Sequence, residues 1–124
     1  MANAVVKTTE DISIQNRESK RILAAIDLGT NSVHMVIVGI EPSLPSFSII
    51  GKEKETVRLG DREIGTGNLK SEIMERTITA LSRFVEIART LDVEAVITVA
   101  TSAVREAPNG KAFLCRIKEE LNLD

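Results

Sequence analysis

The sequence has no tryptophan and no tyrosine, and only three phenylalanines, three prolines, one histidine and one cysteine. Without a cluster of aromatic side chains there is no platform on which single-stranded bases could stack. The lone cysteine, Cys115, excludes an internal disulfide framework and any cysteine-based zinc site. Sixteen basic against eighteen acidic residues leave a net charge of −2, which excludes a broad electrostatic partner such as duplex nucleic acid. No run approaches the roughly 18 apolar residues of a membrane helix. No apolar stretch fits a secretory leader, and Glu10, Asp11 and Glu18 argue against a transit peptide. These absences predict a soluble, cytoplasmic chain with no membrane partner.

What is present is a 124-residue chain with 43% apolar residues, enough for one domain or a piece of one. Its core must be built from Ile, Val, Leu, Ala and Met. Residues 1–20 are polar, mixed in charge and without apolar periodicity, and are expected to form a disordered or flexible extension. From Arg21 the pattern changes. Ile22 to Ile26 is a continuous apolar run, as expected of a strand buried on both faces. Asp27-Leu28-Gly29-Thr30-Asn31-Ser32 is turn chemistry, in which Gly and Asn tolerate positive φ. Val33 to Val38 follows as a second strand, antiparallel to the first because the connection is so short.

Phe47 to about Leu59 reads as a third strand whose Lys52-Glu53-Lys54-Glu55 half is solvated. Gly60 to Asn68 reads as a flexible loop, and Ser71 as a helix N-cap. Beyond it Met74, Ile78, Leu81, Val85 and Ala88 form one ridge of an amphipathic helix, with Ile73, Ala80, Phe84, Ile87 and Leu91 beside it. Ala95 to Ala100 is a further strand with the look of burial on both faces, parallel to the first after a right-handed crossover. With four strands it would lie at a sheet edge, a position natural proteins avoid leaving apolar. Asn109 is placed to cap a last helix with Phe113, Leu114, Ile117 and Leu121 inward. The order β-β-β-α-β-α, with a mixed sheet, is that of an α/β ribonuclease-H-like half-domain, the kind actin, heat-shock ATPases and sugar kinases share.

The Asp27–Ser32 turn has the parts of an anion site. Gly29 lets backbone amides approach an oxyanion, Thr30, Asn31 and Ser32 add side-chain donors, and Asp27 offers a carboxylate for hydrated Mg²⁺. An ordinary hairpin with an Asx turn would use the same residues. Neither G-x-x-x-x-G-K-[ST] nor G-x-G-x-x-G occurs, which removes two other nucleotide-binding classes.

Residues 24–37 (AAIDLGTNSVHMVI), with Glu55-Thr-Val-Arg-Leu-Gly60 and Thr101-Ser-Ala-Val-Arg-Glu-Ala-Pro-Asn109, resemble the exopolyphosphatase / guanosine pentaphosphate phosphohydrolase (Ppx/GppA) family over about residues 21 to 124. The resemblance implies the actin-like ATPase fold and hydrolysis of a terminal phosphoanhydride in polyphosphate or guanosine pentaphosphate, with Mg²⁺ or another divalent cation. It implies Asp27 on the metal side, Gly29, Thr30, Asn31 and Ser32 as the first phosphate loop, Arg105 as a phosphate-contacting cation, and a homodimer at full length. The family's catalytic Glu, in a Gly-Glu-Glu-Ala-type segment, and its second loop, Asp-x-Gly-Gly-Gly-Ser, do not occur. The only Glu-Glu is Glu119-Glu120, within a helical pattern, and there is no Gly-Gly. The expectation is therefore the amino-terminal part, truncated, of a larger enzyme, with no catalytic residue of its own and no activity alone. Two rival readings use the same loop: a half-domain of a sugar or acetate kinase-like phosphotransferase, and a non-catalytic phosphate-binding or regulatory module.

Other polar residues have plainer readings. His34 lacks a carboxylate or serine partner in a triad-like pattern and reads as structural. Arg58 reads as a solvated strand charge, and Gly65-Thr66-Gly67 as a mobile loop rather than a phosphate cradle. Arg105 suits either a phosphate contact or an ordinary helix start. Cys115 reads as a core or near-core thiol.

Overall fold

A computed structural model describes residues 21–123; the extension expected over residues 1–20 lies outside them. Strands β1 (Arg21–Leu28), β2 (Ser32–Ile40) and β3 (Phe47–Thr56) come first, then helix α1 (Ser71–Thr90) and strand β4 (Ala95–Ala100). Two further helices follow, α2 (Ser102–Glu106) and α3 (Gly110–Leu121). The sheet order is β3-β2-β1-β4, antiparallel at β3/β2 and β2/β1 and parallel at β1/β4. This is the mixed sheet that the element order predicts. The short α2 is an addition to that order.

Strand alternation decides the layers. Ala24, Ile26 and Leu28 of β1 and Val33, Met35 and Ile37 of β2 are buried in one cluster with Ile73, Leu81 and Phe84 of α1 and Phe113 and Ile117 of α3. Both long helices therefore cover the same face. On the other face Ala25, Asp27, His34, Ile97 and Val99 are exposed. The expectation that β1 and β4 are buried on both faces is corrected: Ile97 and Val99 are 55% and 54% exposed. A continuous apolar run permits two-sided burial, but the described residues supply helices to one side alone.

Boundaries moved for local reasons. β3 ends at Thr56, not Leu59; Arg58 takes a left-handed φ of 61°, while Val57 and Leu59 turn into the core. Lys70, not Ser71, is the N-cap of α1, with no side-chain cap bond. Residues 60–68 form a closed turn: Arg62 bridges Leu69, Glu63 N–H donates to the Asn68 carbonyl at 2.8 Å, and Thr66 donates to Glu63 Oε1 at 2.8 Å. Asn109 is the N-cap position of α3, yet its side chain serves elsewhere; Oδ1 accepts from Leu69 N–H at 2.8 Å and Nδ2 donates to the Leu69 carbonyl at 3.2 Å. Phe113 and Ile117 are buried as expected, with Leu114 and Leu121 half-buried, but Cys115 is exposed rather than a core thiol. Arg116 joins α3 to α1 through Glu75 at 2.6 Å, and Arg21 forks onto Glu94 with two 2.8 Å bonds that tie the start of β1 to the approach to β4.

Candidate phosphate-binding loop

Three segments meet at the carboxyl end of β1. The first is the connection Gly29–Asn31 between β1 and β2. Its turn is closed by Gly29 N–H donating to the Ser32 carbonyl at 3.1 Å. Gly29 is required here for close approach, because a Cβ would lie 2.8 Å from that same carbonyl oxygen. Neither Gly29 nor Asn31 has positive φ, so the conformational freedom expected of this pair is not what the turn uses.

The second segment is the turn after β3. Val57 and Arg58 both donate their amides to the Asn31 carbonyl, at 3.1 and 2.9 Å, and Gly60 N–H donates to the Thr30 carbonyl at 2.8 Å. The left-handed backbone of Arg58 is uncommon for a residue with a Cβ, and it folds the chain so that consecutive amides reach one acceptor. The third segment opens α2: Thr101 donates its amide (3.1 Å) and its hydroxyl (2.9 Å) to the Leu28 carbonyl. Arg105 N–H donates back to the Thr101 carbonyl at 3.3 Å, one turn along α2.

The result is a loop in which the Thr30 and Asn31 carbonyls are consumed. Among the described residues the amides of Thr30 and Asn31 have no hydrogen-bond partner, and neither do the exposed side chains of Asp27, Thr30, Asn31, Arg58 and Arg105. Ser32 is placed differently from its neighbours. Its side chain is buried, with the hydroxyl 3.3 Å from Thr56 Oγ1 in the β2–β3 seam, so it anchors the loop's exit. Asp27 sits on the open sheet face, opposite His34 on β2 and Val99 on β4. No group of three His, Cys, Asp or Glu capable of holding a metal occurs among the described residues.

The structure thus brings Asp27, Gly29, Thr30, Asn31, Ser32 and Arg105 to one end of the sheet, and adds Arg58. The sequence signal for Arg58 is its place between apolar Val57 and Leu59, two residues before Gly60. Among the described residues His34 has no carboxylate or hydroxyl partner, apart from its register position opposite Asp27. No helix among the described residues is long and apolar enough to cross a membrane.

Comparison with known proteins agrees with this architecture. The sequence profile of the Ppx/GppA phosphatase family matches residues 36–124. The chain is 36% identical to Exopolyphosphatase 2 of Mycobacterium tuberculosis over 80% of its own length and 32% of that protein. It is 37% identical to the guanosine-5'-triphosphate,3'-diphosphate pyrophosphatase of Photobacterium profundum over 81% of its length and 20% of that protein. Similarity to a bifunctional 3-dehydroquinate synthase/phosphatase of Fusobacterium nucleatum, at 30% identity, takes in 99% of the chain, and so the Asp27–Ser32 loop, but 19% of that protein. Among solved structures, the Aquifex aeolicus Ppx/GppA family member superposes with a TM-score of 0.77 at 33% identity, over 85% of this chain and 34% of that one. An exopolyphosphatase from Cytophaga hutchinsonii gives 0.76 at 35% identity, over 84% and 33%. The chain spans about a third or less of the length of these relatives.

Proposed function

Because the chain belongs to the Ppx/GppA phosphatase family, we propose that it supplies the first phosphate-holding loop of a hydrolase that releases terminal phosphate from a phosphoanhydride chain, inorganic polyphosphate or guanosine pentaphosphate. The observation that carries this reading is the division of roles within Gly29–Asn31. The carbonyls of Thr30 and Asn31 are spent on the turn at 57–60, while the amides of the same residues have no acceptor among the described residues. Polar backbone groups in folded proteins are nearly always paired with protein or water, so two adjacent unspent amides beside a hydroxyl and a carboxamide form a ready seat for an oxyanion.

On this reading Thr30 and Asn31 take non-bridging phosphate oxygens, and Gly29 keeps the backbone close. Ser32 fixes the exit of the loop through Thr56. Arg105 and Arg58, neither held by an ion pair among the described residues, set positive charge along the path of a phosphate chain. Asp27 fits a cation of the Mg²⁺ kind: an exposed carboxylate that, among the described residues, has no partner and belongs to no group of three ligands suits an ion that keeps waters and takes further oxygens from substrate. When bound, such an ion would neutralise charge on the phosphoryl oxygens. No general base is assigned among these residues, so the chain by itself is proposed to bind and not to turn over.

The energetics set the scale of the test. Each exposed contact is worth about 1 kcal/mol net, so a handful gives affinity of about a millimolar. Titration calorimetry of the 124-residue chain with tripolyphosphate is expected to show binding in that range. Mg²⁺ should strengthen it, and Arg105→Ala should weaken it. Binding that is indifferent to both would contradict the reading.

A further inference from the structure

We propose that Asn109–Gly110 is a deamidation site that the folded chain holds shut and that unfolding releases. It is the only Asn-Gly pair in the sequence. In a flexible chain the Gly amide nitrogen attacks the Asn side-chain carbonyl carbon, and a glycine has no side chain to obstruct the approach. A bond forms between Gly110 N and Asn109 Cγ, the Cγ–Nδ2 bond breaks, and ammonia leaves with the proton that the Gly110 amide gives up. Water then opens the cyclic imide at either carbonyl, giving Asp or its isomer isoaspartate, in which the main chain runs through the side-chain carbons.

Both halves of the pair have a structural use. Asn109 Oδ1 accepts from Leu69 N–H at 2.8 Å and Nδ2 donates to the Leu69 carbonyl at 3.2 Å, so each end of the carboxamide is engaged. Gly110 is buried, and a Cβ on it would overlap the Val104 carbonyl oxygen. The corner between α2 and α3 thus calls for the residue pair most open to this reaction.

The same contacts block the chemistry. The attacking nitrogen is occupied, because Gly110 N–H donates to the Ala107 carbonyl at 2.9 Å. The carboxamide cannot swing onto Gly110 N without breaking both bonds to Leu69. Burial of Gly110 keeps away the water that opens the imide. Reaction therefore proceeds from states in which the corner has opened, at a rate set by their population. The products do not restore the corner. Asp at 109 has no donor for the Leu69 carbonyl. Isoaspartate lengthens the main chain by one methylene beside Gly110, where a Cβ already has no room.

Peptide mass mapping of the 124-residue chain after incubation at mildly alkaline pH tests the proposal, with isoaspartate read at each asparagine. In urea, Asn109 should convert faster than every other asparagine, and Gly110→Ala should suppress that conversion in a chain already unfolded. In native buffer the wild-type chain should convert at least about tenfold more slowly, since the open fraction alone reacts. Chains carrying isoaspartate at 109 should refold, on removal of urea, to a lower denaturation midpoint than unmodified chains or not at all. Equal rates in buffer and urea, or conversion in urea led by a different asparagine, would overturn the proposal. Isoaspartate-bearing chains that regain the wild-type midpoint would overturn it as well.

Discussion

Gly60 donates its amide to the Thr30 carbonyl at 2.8 Å, and a Cβ built on Gly60 would lie 2.5 Å from Thr30 Cγ2. The turn after β3 and the loop after β1 are therefore in contact at a position where a Cβ would overlap the facing side chain. Gly60→Ala should destabilise the chain by about 1–3 kcal/mol through this overlap. Thr30→Ser removes the Cγ2 methyl, so the double variant should recover most of the loss. Urea melts of the four proteins in this cycle give the coupling directly; additivity would mean that the two residues do not compete for the same space.

Gly110 provides the harsher case. A Cβ there would overlap the Val104 carbonyl oxygen, which belongs to the backbone and cannot rotate away. Gly110→Ala should lower stability by more than Gly60→Ala does, about 3 kcal/mol or above, by separating α2 from α3. Equal denaturation midpoints for the two variants would contradict this ranking.

Asn109 holds both backbone groups of Leu69, at the entry to α1. Asn109→Ala leaves a part-buried donor and acceptor unmade, at a cost of about 1–3 kcal/mol. Asn109→Asp retains the acceptor for Leu69 N–H but offers no donor to the Leu69 carbonyl, and should fall between. Amide exchange at Leu69 is the local readout: protection should drop in the Ala variant and persist in the Asp variant.

The elements were legible where one strong period governs. α1 declares itself through its 3.6-residue apolar pattern, and the β1–β2 pair through two apolar runs around a short polar turn. The Asp27–Ser32 loop was legible for the same reason, since Gly and small polar residues interrupt buried runs. What was not legible depends on contacts remote in sequence. Asn109 reads as a helix cap because the Leu69 backbone it binds is 40 positions away. Ser32 reads as a phosphate donor until β3 brings Thr56 beside it. Arg58 reads as a strand residue because its left-handed φ is set by the Asn31 carbonyl, not by its own type. Whether Ile97 and Val99 meet a second layer is likewise invisible in the run Ala95–Ala100.

The Arg21–Glu94 fork predicts a pH dependence of known sign. Hydrogen bonding to the Arg21 guanidinium holds the Glu94 carboxyl below its ordinary value. A depressed folded value means that the pair's contribution is present above the unfolded carboxylate range and is lost as pH falls through the folded value. Both groups are exposed, so the effect is small and salt-sensitive. Glu94→Gln should lower Tm slightly at neutral pH and low salt, with the difference vanishing in acid or in high salt. A difference that grows in acid would reverse the assignment.

The central claim is that the unspent amides of Thr30 and Asn31 hold a phosphate chain with help from the Asp27 carboxylate. Amide chemical shifts of the isotopically labelled 124-residue chain, followed through a titration with tripolyphosphate in the presence and absence of Mg²⁺, test it most directly. The account predicts the largest shifts at Thr30 and Asn31, smaller ones at Arg58 and Arg105, and a Mg²⁺ enhancement that Asp27→Asn abolishes without altering the rest of the spectrum. Shifts centred elsewhere on the fold, or a Mg²⁺ enhancement that survives Asp27→Asn unchanged, would contradict it.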